Sequence, residues 1–181
     1  SSNAIKVINS IPKNRNIIFA PDRNLGRYLI KKTGRDMVLW DGACMVHEAF
    51  SLERIISLAK EYPSAKFIAH PESTSPILEI ANFVGSTSAL LKYVEMDKSN
   101  SFIVATESGI IHQMQKSCPE KIFIPAPVKD ETCACSECAF MKLNTLEKVY
   151  NCLINESPQI NLNSDLINRS KISINRMLAI S

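Results

Sequence analysis

Apolar residues gather along this chain in short solid runs, not in alternation. Asn16–Ala20, Met37–Trp40, Lys66–His70, Ser101–Thr106 and Lys121–Pro125 are each four to six residues long. Such runs predict strands buried on both faces, the signature of parallel sheets. Between them apolar positions recur at helical spacing, predicting helices over Leu25–Lys32, Glu48–Glu61, Ile77–Phe83, Ala89–Val94 and Ile110–Lys116. In the longest, Phe50, Leu52, Ile55, Ile56, Leu58 and Ala59 make an apolar face, Glu53, Arg54, Lys60 and Glu61 stay polar, and Pro63 ends the helix. Strand alternating with helix predicts an α/β fold of three-layer αβα domains with parallel sheets and right-handed crossovers.

Both ends depart from this rhythm. Two helices, Thr145–Ile154 and Ser164–Ile180, are joined by the polar turn NESPQINLN, and no strand follows to receive them. They are expected to pack on a neighbouring domain or subunit. The opening SSNAIKVINS has capping residues and a helical pattern but no strand before it. Either the layer opens partway through, or Ser-Asn-Ala is the scar of an expression tag.

Composition narrows the class. At 181 residues the chain is long enough for one domain or two small ones, against roughly 100–200 residues per domain. With 45% hydrophobic and 22% charged residues it is neither disordered nor low-complexity. No apolar run approaches the ~20 residues of a membrane span. A net charge of +3, with no basic block, gives no support for nucleic-acid or membrane partners. Six cysteines without a secretory segment point to a reducing, cytoplasmic setting in which some thiols serve as metal ligands. No Gly-x-Gly-x-x-Gly or phosphate loop is present.

Three places gather reactive side chains where a strand hands over to a loop, the edge at which open α/β sheets bind ligands. In Trp40-Asp-Gly-Ala-Cys44-Met-Val-His47-Glu48, Cys44 stands at a helix mouth, where the thiolate is favoured, and His47 follows one turn later. The same residues also read as an inert buried cysteine and a capping histidine. In Phe67-Ile-Ala-His70-Pro71-Glu72, a histidine and a glutamate suit proton transfer or substrate binding, or else close a strand. Ser86 and Thr87 open a helix and read as anion-binding groups or as plain caps. Cys133, Cys135 and Cys138 put three thiols within six residues, a density that suits zinc or iron–sulfur. Cys118 and Cys152 read as helix-flanking or helical core residues, and His112 as a residue on a surface helix.

Taken in order, SSNAIKV, FAPDRNLGRYL, LWDGACMVHE, AHPES, VGSTSAL, IVATESGIIH, the segment from Cys138 through AFMKLNTLEKVY, and INRML resemble quinolinate synthase, the iron–sulfur enzyme of bacterial NAD biosynthesis. The resemblance makes SSNA genuine family sequence. It implies three α/β domains about a pseudo-threefold axis, with the first domain missing from this chain. Residues 1–46 would be the later part of the second domain, 47–138 the third, and 139–181 the helices returning to the first. It implies condensation of iminoaspartate with dihydroxyacetone phosphate on a [4Fe–4S] cluster, and a functional link to L-aspartate oxidase. Cys44 and Cys138 would be cluster ligands. His47, His70 and Glu72 would be catalytic, with Ser1 (or Ser2), His70, Glu72, Ser86 and Thr87 contacting substrate. The family's Cys-x-x-Cys-x-x-Cys is here Cys133-Ala-Cys135-Ser-Glu-Cys138, which leaves Cys138 aligned. Residues 1–181 by themselves are expected to be inactive. The competing reading is a non-catalytic module in which Cys133, Cys135 and Cys138 hold a structural zinc.

Overall fold

The computed structural model describes residues 2–130 and 136–180. Helix α1 (Ala4–Ser10), strand β1 (Ile18–Phe19), helix α2 (Arg23–Thr33) and strand β2 (Val38–Leu39) make a small first layer. Its strands pair in parallel, Ile18 beside Val38 and Phe19 beside Leu39. Ile8, Ile17, Leu25 and Leu29 bury against one another beneath it. Asp22 caps α2 by accepting from the Leu25 N–H, so the helix begins before the first apolar position that predicts it. It ends on Gly34 at φ 65°, a left-handed turn that glycine adopts without strain.

The next two helices, α3 (Met45–Glu48) and α4 (Leu52–Glu61), lead into a second sheet. There β3 (Lys66–Ala69), α5 (Ser75–Glu79), β4 (Phe83–Val84), α6 (Thr87–Met96), β5 (Ser101–Ala105), α7 (Gly109–Ser117) and β6 (Ile122–Pro125) follow in turn. The strand order is β4-β3-β5-β6 and every pairing is parallel. Alternate residues of a strand face opposite ways, and here both ways are covered. Phe67, Ala69, Ile103 and Ala105 pack with Phe50, Ile55 and Ile77 on one face. Ile68, Phe102 and Val104 pack with Leu90, Val94 and Met114 on the other. This two-sided burial is why the strands read as solid apolar runs. The α/β class with parallel sheets flanked by helices is therefore the architecture observed.

Two predicted helices are interrupted. The span Glu48–Glu61 is broken at Ala49–Ser51: Phe50 bridges Val128, the Ser51 N–H donates to the Pro127 carbonyl, and the Ser51 hydroxyl caps α4. Tertiary pairing with the segment after β6 overrides the local helical spacing. The span Ile77–Phe83 stops at Glu79, and Phe83–Val84 becomes an edge strand beside β3. Asn82 sets that register, its N–H donating to the Phe67 carbonyl and its side-chain oxygen accepting from the Phe67 N–H.

A short 3-10 turn (Met141–Leu143) precedes α8 (Leu146–Asn155) and α9 (Ser164–Ile180). Neither helix has a buried residue, and Leu146, Leu153 and Ile172 stand open to solvent. Cys118 is buried at the end of α7, whereas Cys152 is exposed on α8 and not a core residue, because α8 has no covered face. His112 is exposed on α7, as expected for a surface helix. Among the described residues no helix is long and apolar enough to cross a membrane.

Phe102 is fully buried, stacked at 5.8 Å on Phe123 and edge-on to Tyr93 at 6.3 Å. Phe102→Ala is expected to cost about 3–5 kcal/mol through lost burial and the cavity left behind. Chemical denaturation would show this as a lower midpoint.

Candidate functional site

Every predicted reactive segment within the described residues leaves a strand, or follows one, at its carboxyl end. Parallel pairing points those ends the same way, so the turns collect at one edge of the sheet. From the first layer, the loop after β2 carries Cys44 at the start of α3 and His47 within it. His70 and Glu72 follow β3, Ser86 follows β4, and Thr106 follows β5. The sheet order sets Ser86 beyond His70 on one side and Thr106 beside it on the other.

At the centre is His47, 6% exposed. Its Nε2 lies 3.2 Å from the Thr106 hydroxyl. Its Nδ1 lies 3.3 Å from a Glu72 carboxylate oxygen, at ion-pair distance but off the line of a straight hydrogen bond. The His70 ring stacks on it at 4.7 Å and 24°. One ligating atom each from Cys44, His47 and Glu72 falls within 4.8 Å of the other two.

These neighbours set one another's charge. Contact with His47 holds the Cys44 thiol below its ordinary value, against the opposing effect of burial. Burial works against a charged His47 ring, yet contacts with the Cys44 sulfur and the Glu72 carboxylate outweigh it and raise the imidazole to about 9. Contact with His47 also lowers the Glu72 carboxyl. Burial, followed by the charge on His47, depresses His70 to about 4. His70 Nδ1 accepts the Glu72 N–H at 3.4 Å, which suits an unprotonated nitrogen. At neutral pH the group thus holds an imidazolium, a carboxylate and a neutral imidazole, beside a thiol whose ionisation His47 eases. A four-residue helix has little dipole to offer Cys44, so its thiolate character comes from His47 and not from the helix mouth.

Cys138 approaches from another direction. Its N–H donates to a Glu107 carboxylate oxygen at 3.4 Å, and the Ser136 carbonyl accepts from the Ser108 N–H at 2.9 Å. The segment is thereby docked on the turn after β5, next to the Thr106 that meets His47. Cys44 and Cys138 both pack, half-buried, against the core face that contains Val46 and Phe50. Met45 and Val46 share a cavity of about 140 Å³ with Ser136 and Glu137. Two partly accessible thiols, one of them primed as thiolate, fit the donor chemistry of an iron–sulfur cluster. After Cys138 the chain makes a turn and a 3-10 helix, so the cysteine is set by its docking and not by a following α-helix.

Other predicted residues are placed differently. The Ser86 hydroxyl caps α6, accepting from the Ala89 N–H at 3.3 Å, and lies 3.1 Å from the Ser88 hydroxyl. Thr87 is exposed on the first turn of α6. Ser2 is exposed ahead of α1, while Ser1, Cys133 and Cys135 lie outside the described residues. Sequence reasoning passed over Thr106, Asp22 and Glu107 as functional residues. The signal for Thr106 is a hydroxyl closing a fully apolar strand; Asp22 and Glu107 look like ordinary helix-start residues.

The charge pattern is testable in metal-free protein. Cys44 lies in contact with His47, with Glu72 and His70 the other titratable groups of the cluster. Because its thiol is lowered, alkylation of Cys44 is expected to set in at a lower pH than for a free cysteine. His47→Gln is expected to move that onset upward. Peptide-resolved mass spectrometry across a pH series reads both; coincident profiles for the two proteins would refute the coupling.

The family model described as quinolinate synthetase A protein matches residues 1–179. The quinolinate synthase of a Synechococcus species is 55% identical over 181 residues, covering all of this chain and 57% of its own. That of Microcystis aeruginosa is also 55% identical, over 56% of its length, and that of Chloroherpeton thalassium is 52% identical over 56%. The chain spans little more than half the length of these relatives. With a match this continuous from end to end, the chain belongs to the quinolinate synthetase A family.

Proposed function

We propose that this chain is the later part of a quinolinate synthase. In this reading residues 1–46 complete a second α/β domain, 47–138 form a third, and 139–181 return to a first, around a pseudo-threefold axis. The reaction is condensation of iminoaspartate with dihydroxyacetone phosphate, releasing phosphate and two waters to give quinolinate. It takes place in the cytoplasm, where thiols stay reduced, with a functional link to L-aspartate oxidase. The observation that supports the reading best is the Cys44, His47 and Glu72 group, a thiol, an imidazole and a carboxylate within 4.8 Å in a member of this family.

A [4Fe–4S] cluster held by Cys44, Cys138 and a cysteine of the first domain would supply, when bound, an iron lacking a protein ligand, a Lewis acid that assists loss of water from substrate. The remaining work falls to this chain's side chains. Glu72, ionised beside the His47 imidazolium, would take a proton from substrate carbon. The His47 imidazolium, braced by Thr106, keeps that carboxylate charged and can return a proton to a leaving oxygen. A neutral His70 orients substrate by hydrogen bonding without adding charge. The hydroxyls of Ser86 and Thr87 with the first N–H groups of α6 suit a phosphate or carboxylate.

Full-length protein, reconstituted anaerobically with iron and sulfide, is expected to turn brown and to form quinolinate from the two substrates. Glu72→Gln is expected to lose turnover by on the order of 10²–10⁴-fold with an unchanged visible spectrum, and His70→Ala to behave likewise. Stoichiometric zinc with no bound iron would overturn the proposal in favour of a zinc module. Glu72→Gln with full turnover would remove that residue from the chemistry.

A further inference from the structure

Two segments far apart in sequence use one device. After β1, Asp22 caps α2 with Oδ1, which accepts from the Leu25 N–H at 2.7 Å. Its Oδ2 accepts from the backbone N–H of Cys44 at 2.9 Å. After β5, Glu107 accepts the N–H of Gly109, the first residue of α7, on Oε2 at 2.8 Å. Its Oε1 accepts from the backbone N–H of Cys138 at 3.4 Å. In each layer the helix leads into the parallel neighbour strand, β2 beside β1 and β6 beside β5, and the cysteine comes after that strand. Each carboxylate therefore ties the start of a helix to a cysteine that its own layer delivers.

Around each carboxylate the loops are fastened further. The Arg23 N–H donates to the Gly42 carbonyl at 2.8 Å, and its guanidinium reaches Asp41 at 3.3 Å and Glu48 at 3.1 Å. Asn24 donates to the same Glu48 carboxylate at 2.6 Å. Helix α3 is thus held at Cys44 by Asp22 and at Glu48 by Arg23 and Asn24. The approach is so close that a Cβ on Gly42 would lie 2.4 Å from the Pro21 carbonyl oxygen, so only glycine fits. On the other side the bond from Ser108 to Ser136 adds to the grip of Glu107.

We propose that Asp22 and Glu107 are paired positioning residues, which hold the backbone of Cys44 and Cys138 so that both thiols are presented before a cluster is bound. Each acts through a backbone amide. A carboxylate has two oxygens for two amides, and nothing neutral of the same shape offers both. Asp22 is itself 5% exposed, so water cannot readily replace the lost acceptor. The proposal rests on the cluster reading above, but its first readout does not.

The test uses full-length protein carrying Asp22→Asn, Asp22→Ser or Glu107→Gln. Asparagine and serine both cap helices well, so α2 is kept while the acceptor facing Cys44 is removed. Residue-resolved hydrogen exchange is expected to show the Cys44 amide exchanging at least about tenfold faster in the Asp22 variants, and the Cys138 amide in Glu107→Gln. Iron retention against a chelator is expected to weaken roughly 10–100-fold, the loss usual for residues that orient metal ligands. Melting temperatures should stay near that of the parent, and if Asp22→Ser melts early the isosteric Asp22→Asn carries the same test. Unchanged exchange at both cysteine amides overturns the proposal. So does iron loss that only tracks a fall in melting temperature. If the parent protein takes up no iron, the cluster reading fails, while faster exchange at the two amides still supports the positioning role.

Discussion

A buried, charged imidazole needs a hydrogen bond or an opposite charge at each nitrogen, and His47 finds them just past two different strands of the second sheet. Thr106 closes β5 and meets Nε2, while Glu72, just past β3, faces Nδ1. His47 itself arrives from the loop that follows the first layer's β2. One ring therefore fastens the first layer to the carboxyl edge of the second sheet and brings Cys44 with it. That ring is the contact that Cys44, Glu72 and His70 share.

Charge follows from the same packing. An imidazole with pKa about 9 beside a depressed carboxyl makes an ion pair that persists across the neutral range, and the Cys44 thiol beside it is lowered in turn. Its neighbour His70, stacked on a cation and buried, takes the opposite course and stays neutral. The two stacked histidines shift in opposite directions because His47 contacts the Cys44 sulfur and lies 3.3 Å from the Glu72 carboxylate, whereas for His70, 4.0 Å from that carboxylate, burial and the charge on His47 prevail. This divergence within a pair is how a single site can offer a charged group and a neutral hydrogen-bonding group together.

The carboxylates beneath the cysteines show economy of another kind. A strand, a capping acid, a helix and a neighbouring parallel strand form a unit that appears in both layers. PDRNLG and TESGI share little as strings, so the repetition is invisible until the backbone is seen. It suits the architecture proposed above, in which each layer would deliver one cysteine to a common centre.

Much of this was legible in the chain itself, because the information was local. Solid apolar runs marked β3, β5 and β6, and helical spacing marked α2, α6 and α7, since burial on two faces or one leaves its period in the residues. Cys44, His47, His70 and Glu72 stood out as candidates because each lies at a strand-to-loop turn, yet by themselves they read equally as an inert cysteine, a cap and a strand end. Tertiary contacts decided the rest. Phe50 and Phe83 lie in apolar stretches compatible with either helix or strand, and only pairing with Val128 and with β3 settled them. Thr106 and Glu107 were overlooked, and Asp22 with them, because a threonine, a glutamate and an aspartate at such turns look alike whether they cap a helix or hold a distant loop. Their partners lie 59, 31 and 22 positions away along the chain, a separation across which only the folded backbone brings side chains together.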